Sequence, residues 1–181
     1  MGDHQMKLST LISATLLGVT TMVVWAGASV TDAQIAAIVV TANQVDIDAG
    51  ELAEANAHVL NVKNFAQLMI KDHTGVNKAA IDLVQKLHVT PESNSTSESL
   101  RKGGGENLAA LKKLSGPAFD KAYIDHEVIY HQAVIDAMDN TLIPSAQNAE
   151  LKALLVKVRP AFVAHLDHAK QLQADLAKAG R

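Results

Sequence analysis

The sequence predicts an all-α fold, an antiparallel four-helix bundle, and three observations carry the prediction. Apolar residues recur at alternating four- and three-residue steps in four segments, which places each set on one face of a helix. The first seam is Ile35, Val39, Ala42, Asp46, Ala49 and Ala53, and the second is Val62, Ala66, Met69, His73, Val76, Ala80, Leu83 and Leu87. The third is Ile124, Val128, His131, Ile135 and Met138, and the fourth is Leu151, Leu155, Val158, Phe162, His165, Ala169, Leu172 and Leu176. Second, alanine and leucine carry most of the hydrophobicity while aromatic residues make up only 3 % of the chain, a balance that favours helix over sheet. Third, no alternating β-branched run bounded by turn residues appears, so no strand is expected.

Each element has its own signals. Thr31 and Gln34 have the spacing of a capping box and start the first helix, which runs to about residue 58. The break to the second helix falls at 58–61, where the seam changes phase and asparagines flank it. The second helix spans about 62–87 and is stopped by Val89, Thr90 and Pro91. Residues 91–105 are rich in Ser, Asn, Glu and Gly and read as a loop that crosses over between helices two and three, with Gly103, Gly104 and Gly105 as linker. A short helix at 106–114 follows. Pro117 suits the first turn of the third helix, which runs to about residue 140. Pro144 and Ser145 mark the next turn, Ser145 as an N-cap, and the fourth helix covers about 146–179 with Pro160 inside it. Two hairpins joined by a long crossover, with polar groups pointing inward, match a ferritin-like architecture, an analogy of shape that implies no activity.

The N-terminus predicts an address. Lys7 precedes an apolar run over 8–28 that ends in Ala26, Gly27 and Ala28, the pattern of a secretory signal peptide. The rival reading is an uncleaved anchor, since the run approaches the roughly 20 residues that span a bilayer. The expected organisation is therefore residues 1–28 as signal or anchor and 29–181 as one bundle domain, exported to the periplasm or cell envelope. Any membrane contact would run through residues 8–28. Loss of the leader removes Asp3 and Lys7 and leaves the net charge at −3. With no basic patch and no interleaved aromatics, nucleic acid is excluded as a partner. The absence of cysteine excludes disulfides, thiol catalysis and thiolate metal sites. No phosphate loop, dinucleotide fingerprint or nucleophile elbow is present.

The chemistry sits where the seams are interrupted. Asp46, His73, His131 and His165 each put an ionisable group on an otherwise apolar stripe, which is costly unless the group is paired or metal-bound. Asp46 and His73 lie equally far from the first turn and should face each other. His168, three residues after His165, and Glu127, four before His131, are supporting candidates. Counted from a turn at Pro144, His131 and His165 fall about ten residues out of step, roughly 15 Å of helix. On that count Glu127, His126 or Tyr123 would be the third-helix group nearest His165. His58 and His88 fall at helix ends and are read as serving the helix dipole. No Glu-x-x-His motif occurs, which disfavours a di-iron carboxylate site. A histidine-rich set suits zinc, iron or copper rather than magnesium or calcium. Three functions stay open: a metal or small-ligand site used in metal handling or envelope stress; a metal-free interaction module for an envelope partner, whose buried polar network sets helix register; and an enzyme of unusual bundle type whose turnover would depend on Asp46 and His73. Nothing in the sequence demonstrates a catalyst.

The run from Gly50 through Glu51, Leu52 and Ala53 to Val62, Lys63, Asn64, Phe65 and Ala66, then Met69, Ile70, Lys71, Asp72 and His73, resembles domain-of-unknown-function family 4142. So do Ser115 and Gly116 with Phe119 to Tyr123, His131, and the closing Pro160 to Leu166. The resemblance covers about residues 31–176. It implies an exported helical bundle whose members often carry an outer-membrane label, with histidines at His73, His131 and His165. Asp46 stands where that family usually has Glu, which shortens the reach of the side chain. No established activity comes with the resemblance.

Overall fold

The computed structural model describes residues 30–179, so the signal-peptide or anchor reading lies outside the described residues. Those residues are helical, with no strand among them, and none of their helices is long and apolar enough to cross a membrane. The elements are α1 (Asp32–Asn56), α2 (Leu60–Lys86), α3 (Ser95–Leu111), α4 (Gly116–Ala137) and α5 (Ala149–Ala179). A π-helical stretch, Met138–Leu142, and one helical turn, Ile143–Ser145, prolong α4 toward α5. α1 packs on α2, α2 on α5, α5 on α4 and α4 on α1, which closes a ring of four long helices. α3 lies against α1 and touches α4.

The expected local signals hold at several points. Thr31 and Gln34 form the capping box of α1, and Pro117 sits in the first turn of α4. His88 ends α2 in the left-handed region at φ 54°, with Val89 N–H donating to Val84 O and His88 N–H to Gln85 O. That pattern satisfies the last carbonyls of the helix. Each hairpin turn is also tied to the other hairpin by a carboxylate. Asp120 of α4 accepts from His58 N–H and Val59 N–H at 2.9 and 2.8 Å, and Asp32 of α1 accepts from Gln147 N–H and Asn148 N–H, both at 2.9 Å.

Two expectations are corrected. The crossover is a helix: α3 occupies 95–111, where the sequence predicts loop to residue 105 and helix only from 106. Asn94 starts it early by accepting from Thr96 N–H and Ser97 N–H. The glycines continue it because tertiary contact demands them. A Cβ on Gly104 would stand 2.8 Å from both Cγ atoms of Val45, so this glycine lets α3 approach α1. Gly104→Ala should therefore cost about 1–3 kcal/mol, because rotating a β-branched valine cannot clear both methyls. Gly105→Ala, with nothing within 4 Å of its Cβ, should instead stabilise by up to about 1 kcal/mol. Urea titrations of the two variants check the contrast.

The second correction concerns the last turn. The helix does not stop at Pro144: the π-helical stretch, with Ile143 N–H donating to Met138 O, passes directly into the turn Ile143–Ser145. The chain reverses at 146–148, and Asn148 rather than Ser145 caps α5, accepting from Glu150 N–H and Leu151 N–H. Asn148 lies seventeen residues from His131 and seventeen from His165, so the two histidines come level.

The core is split by a polar layer. One apolar cluster holds Ile35, Ile38, Val39, Ala80, Ile135, Leu155 and Phe162, and the other holds Ala53, Val62, Phe65, Met69, Phe119, Tyr123 and Leu172. Between them along every long helix come Asn43 and Asp46, His73, Glu127 and His131, and His165. All six are at most 4 % exposed.

Candidate metal centre

The four seam residues meet in that layer. His73 Nε2 lies 2.7 Å from Asp46 Oδ2, and His131 Nε2 lies 3.4 Å from the same oxygen. The ring centres of His73, His131 and His165 are 5.3–5.6 Å apart pairwise. Each histidine offers a ring nitrogen within 4.8 Å of those of the other two, and Asp46, Glu127 and His131 form a second such group. His131 and His165 therefore converge, and the ten-residue offset expected from a turn at Pro144 does not arise.

One nitrogen of each imidazole is already committed. Asn43 Nδ2 donates to Val39 O at 2.8 Å, which fixes the amide and leaves Asn43 Oδ1 as an acceptor. His73 Nδ1 sits 2.7 Å from that oxygen and donates to it, while His73 Nε2 faces Asp46 Oδ2. His131 Nδ1 donates to the Glu127 backbone carbonyl at 3.0 Å, which leaves Nε2 bare. His165 Nε2 donates to Asp72 Oδ2 at 3.0 Å and leaves Nδ1 bare. Among the described residues, none of the three remaining nitrogens has a hydrogen-bond partner, nor does either oxygen of Asp46 or of Glu127.

At His131 the arrangement is repulsive as it stands, since the bare Nε2 lies 3.4 Å from the Asp46 carboxylate. It calls for a cation or a proton in the middle. Ligand atoms about 2.1 Å from a tetrahedral ion stand about 3.4 Å apart, comparable with the spacing here. The supporting hydrogen bonds are of the kind that orient histidine ligands, a carboxylate on His165 above all.

Charge follows the same logic. Burial opposes ionisation of Asp46, but His73 and His131 beside it outweigh burial and bring its pKa down to about 2. Burial pushes His131 down to about 4 and also lowers His165. Burial, reinforced by the Asp46 carboxylate, holds Glu127 well above the usual carboxylate range. At neutral pH the layer therefore holds an ionised Asp46 and neutral imidazoles at His131 and His165, while Glu127 resists ionisation more than an ordinary carboxyl does. Neutral imidazole and ionised carboxylate are the forms a metal takes.

Other candidates fall outside the cluster. His168 is exposed and sets its ring against the edge of Phe65, because three residues of helix turn it some 60° away from His165. It does not support the centre. His126 is half-buried and stacks on Tyr130, and His58 is exposed beside the first turn, its backbone N–H held by Asp120. Asn43 and Asp72 were not legible as site residues, although both are polar positions next to a seam. Phe162, a seam residue, packs its ring 5.0 Å from His73 and 6.1 Å from His131.

The family model for a domain of unknown function, DUF4142, matches residues 20–172. No curated protein and no solved structure matches the chain.

Proposed function

Because the chain belongs to the DUF4142 family, a domain of unknown function, its role has to be argued from its own site, and we propose that it binds one transition-metal ion there. His73, His131, His165 and Asp46 are the direct ligands, with Glu127 alongside and Asn43 and Asp72 orienting the rings. One observation carries this reading: three buried imidazoles, each with one nitrogen fixed by an acceptor, bring ring nitrogens within 4.8 Å of one another, and the Asp46 carboxylate lies 2.7 Å from His73 and 3.4 Å from His131. Three imidazoles and one carboxylate suit zinc, iron or copper. The ring of α1, α2, α5 and α4, with α3 in the crossover, supports a ferritin-like four-helix bundle. Lys7 and the apolar run ending at Ala28 support export, and with it a role in metal handling or envelope stress.

The test is elemental analysis of the purified protein beside a His73→Ala, His165→Ala double variant. One metal per chain is expected in the parent, and none in the folded variant. The absence of stoichiometric metal from the parent, even after loading with zinc, copper or iron and desalting, would reject the reading. The second reading, a metal-free module whose polar layer sets helix register, draws on the 2.7 Å approach of His73 to Asp46. It predicts that the parent stays metal-free while either single variant loses stability.

A further inference from the structure

Directly beneath the polar layer lies a cavity of about 250 Å³. Its wall draws on every long helix and on α3, with Ile38, Val76, Leu100, Val134, Leu155 and Phe162 giving it an apolar surface. Asn43, Tyr130 and Thr96 also line it. The first two are already engaged within the protein. Asn43 spends its amide on Val39 and His73, and the Tyr130 hydroxyl donates to Ala42 O at 2.8 Å. Thr96 is exposed on α3 and, with Ala133 on α4, sits toward the solvent side.

A water molecule needs two to four polar partners to be held in a cavity, and the wall of this one is almost wholly apolar. An apolar cavity of about 150 Å³ is large enough to hold benzene. The available space therefore exceeds what a single aromatic ring requires. The π-helical stretch borders the cavity through Met138 and Leu142, and such stretches often occur at functional sites. Gly104, which seats α3 against α1, keeps the α3 side of the wall in place.

We infer that this cavity is a binding site for a small, neutral, apolar molecule, of the size of a single aromatic ring or a short alkyl chain, admitted between α3 and α4. Phe162 forms its floor and also touches His73 and His131, so occupancy is felt in the polar layer through that ring. The inference requires no bound metal, so it stands or falls separately from the metal reading.

The experiment is an NMR titration of the metal-free protein with toluene, following the side-chain signals of His73, His131 and Phe162. A saturable one-to-one shift is expected. Phenol has nearly the same shape but gives up its hydrogen bonds to water on entering a mostly apolar cavity, and it should bind at least tenfold more weakly. Ala133→Phe, at an exposed position beside the mouth, should weaken toluene binding at least tenfold without changing the thermal midpoint. Ala137→Met, one turn further along α4, should do the same and guards against a folding defect in the first variant. No saturation up to the solubility of toluene would overturn the proposal, as would equal affinity for phenol or undiminished binding in both folded variants.

Discussion

Zinc added to the metal-free protein at about a thousand times its Kd should raise the unfolding free energy by about 4 kcal/mol. For a domain of this length that is a rise of roughly 8–16 °C in thermal midpoint. The size of the effect follows from the state of the site. The ligand nitrogens are already deprotonated at His131 and His165, and Asp46 is already ionised, so little of the binding free energy is spent on releasing protons. The rings are also held in place by Asn43, the Glu127 carbonyl and Asp72. His73→Ala should remove the zinc-dependent rise. Asp72→Asn, which keeps all four ligands but weakens the acceptor on His165, should loosen zinc 10–100-fold and so recover most of the rise at high zinc. Differential scanning fluorimetry across a zinc series separates the three. The same rise in all of them would mean that zinc acts elsewhere on the molecule, and the site assignment would fail.

The four central residues were legible because each violates its own helix. An ionisable group inside an apolar register is an anomaly that composition and periodicity alone expose. Pairing Asp46 with His73 needed one further step, equal distance from a soft turn, and the structure places them 2.7 Å apart. The same step misjudged His131 and His165, since it took Pro144 as the turn. The π-helical stretch and the turn Ile143–Ser145 after it carry the helix to residue 145 instead of about 140, and no local propensity announces that. α3 was hidden for a related reason. Three glycines in a row weaken a helix by roughly 1 kcal/mol each relative to alanine, so a local reading favours linker. What decides the matter is the contact between Gly104 and Val45, residues 59 positions apart. Asn43 and Asp72 escaped because supporting residues break no pattern. Asn43 neighbours a seam alanine and Asp72 precedes a seam histidine, and both look like ordinary solvated positions until the partner helix is in place.

Glu127→Gln should make the metal-free protein more acid-sensitive between pH 7 and 4.5 than the parent. Two buried titrations oppose each other. His131 is held down at about 4 against an ordinary value near 6.5, so the unfolded chain takes up this proton first as pH falls. Its contribution is fully present above about pH 6.5 and is lost on the way to pH 4, roughly 3 kcal/mol in all. His165, also lowered by burial, acts in the same direction. Glu127 has the opposite sign. Its carboxyl is held well above the usual range, so its contribution is fully present below about pH 4.5 and is lost as pH rises through its folded value. As pH falls the glutamate therefore offsets part of what the histidines lose. A glutamine at 127 keeps the shape of the protonated acid and removes only the titration, so the histidine slope should appear uncompensated. Below pH 4 both proteins should lose stability together, because Asp46 gives up its low pKa of about 2 only there. Urea midpoints measured every half unit of pH test the difference between the two curves. Parallel curves would show that Glu127 is ionised in the folded protein. The polar layer would then carry a second negative charge, and its demand for a cation would be greater than the metal-free charge balance implies.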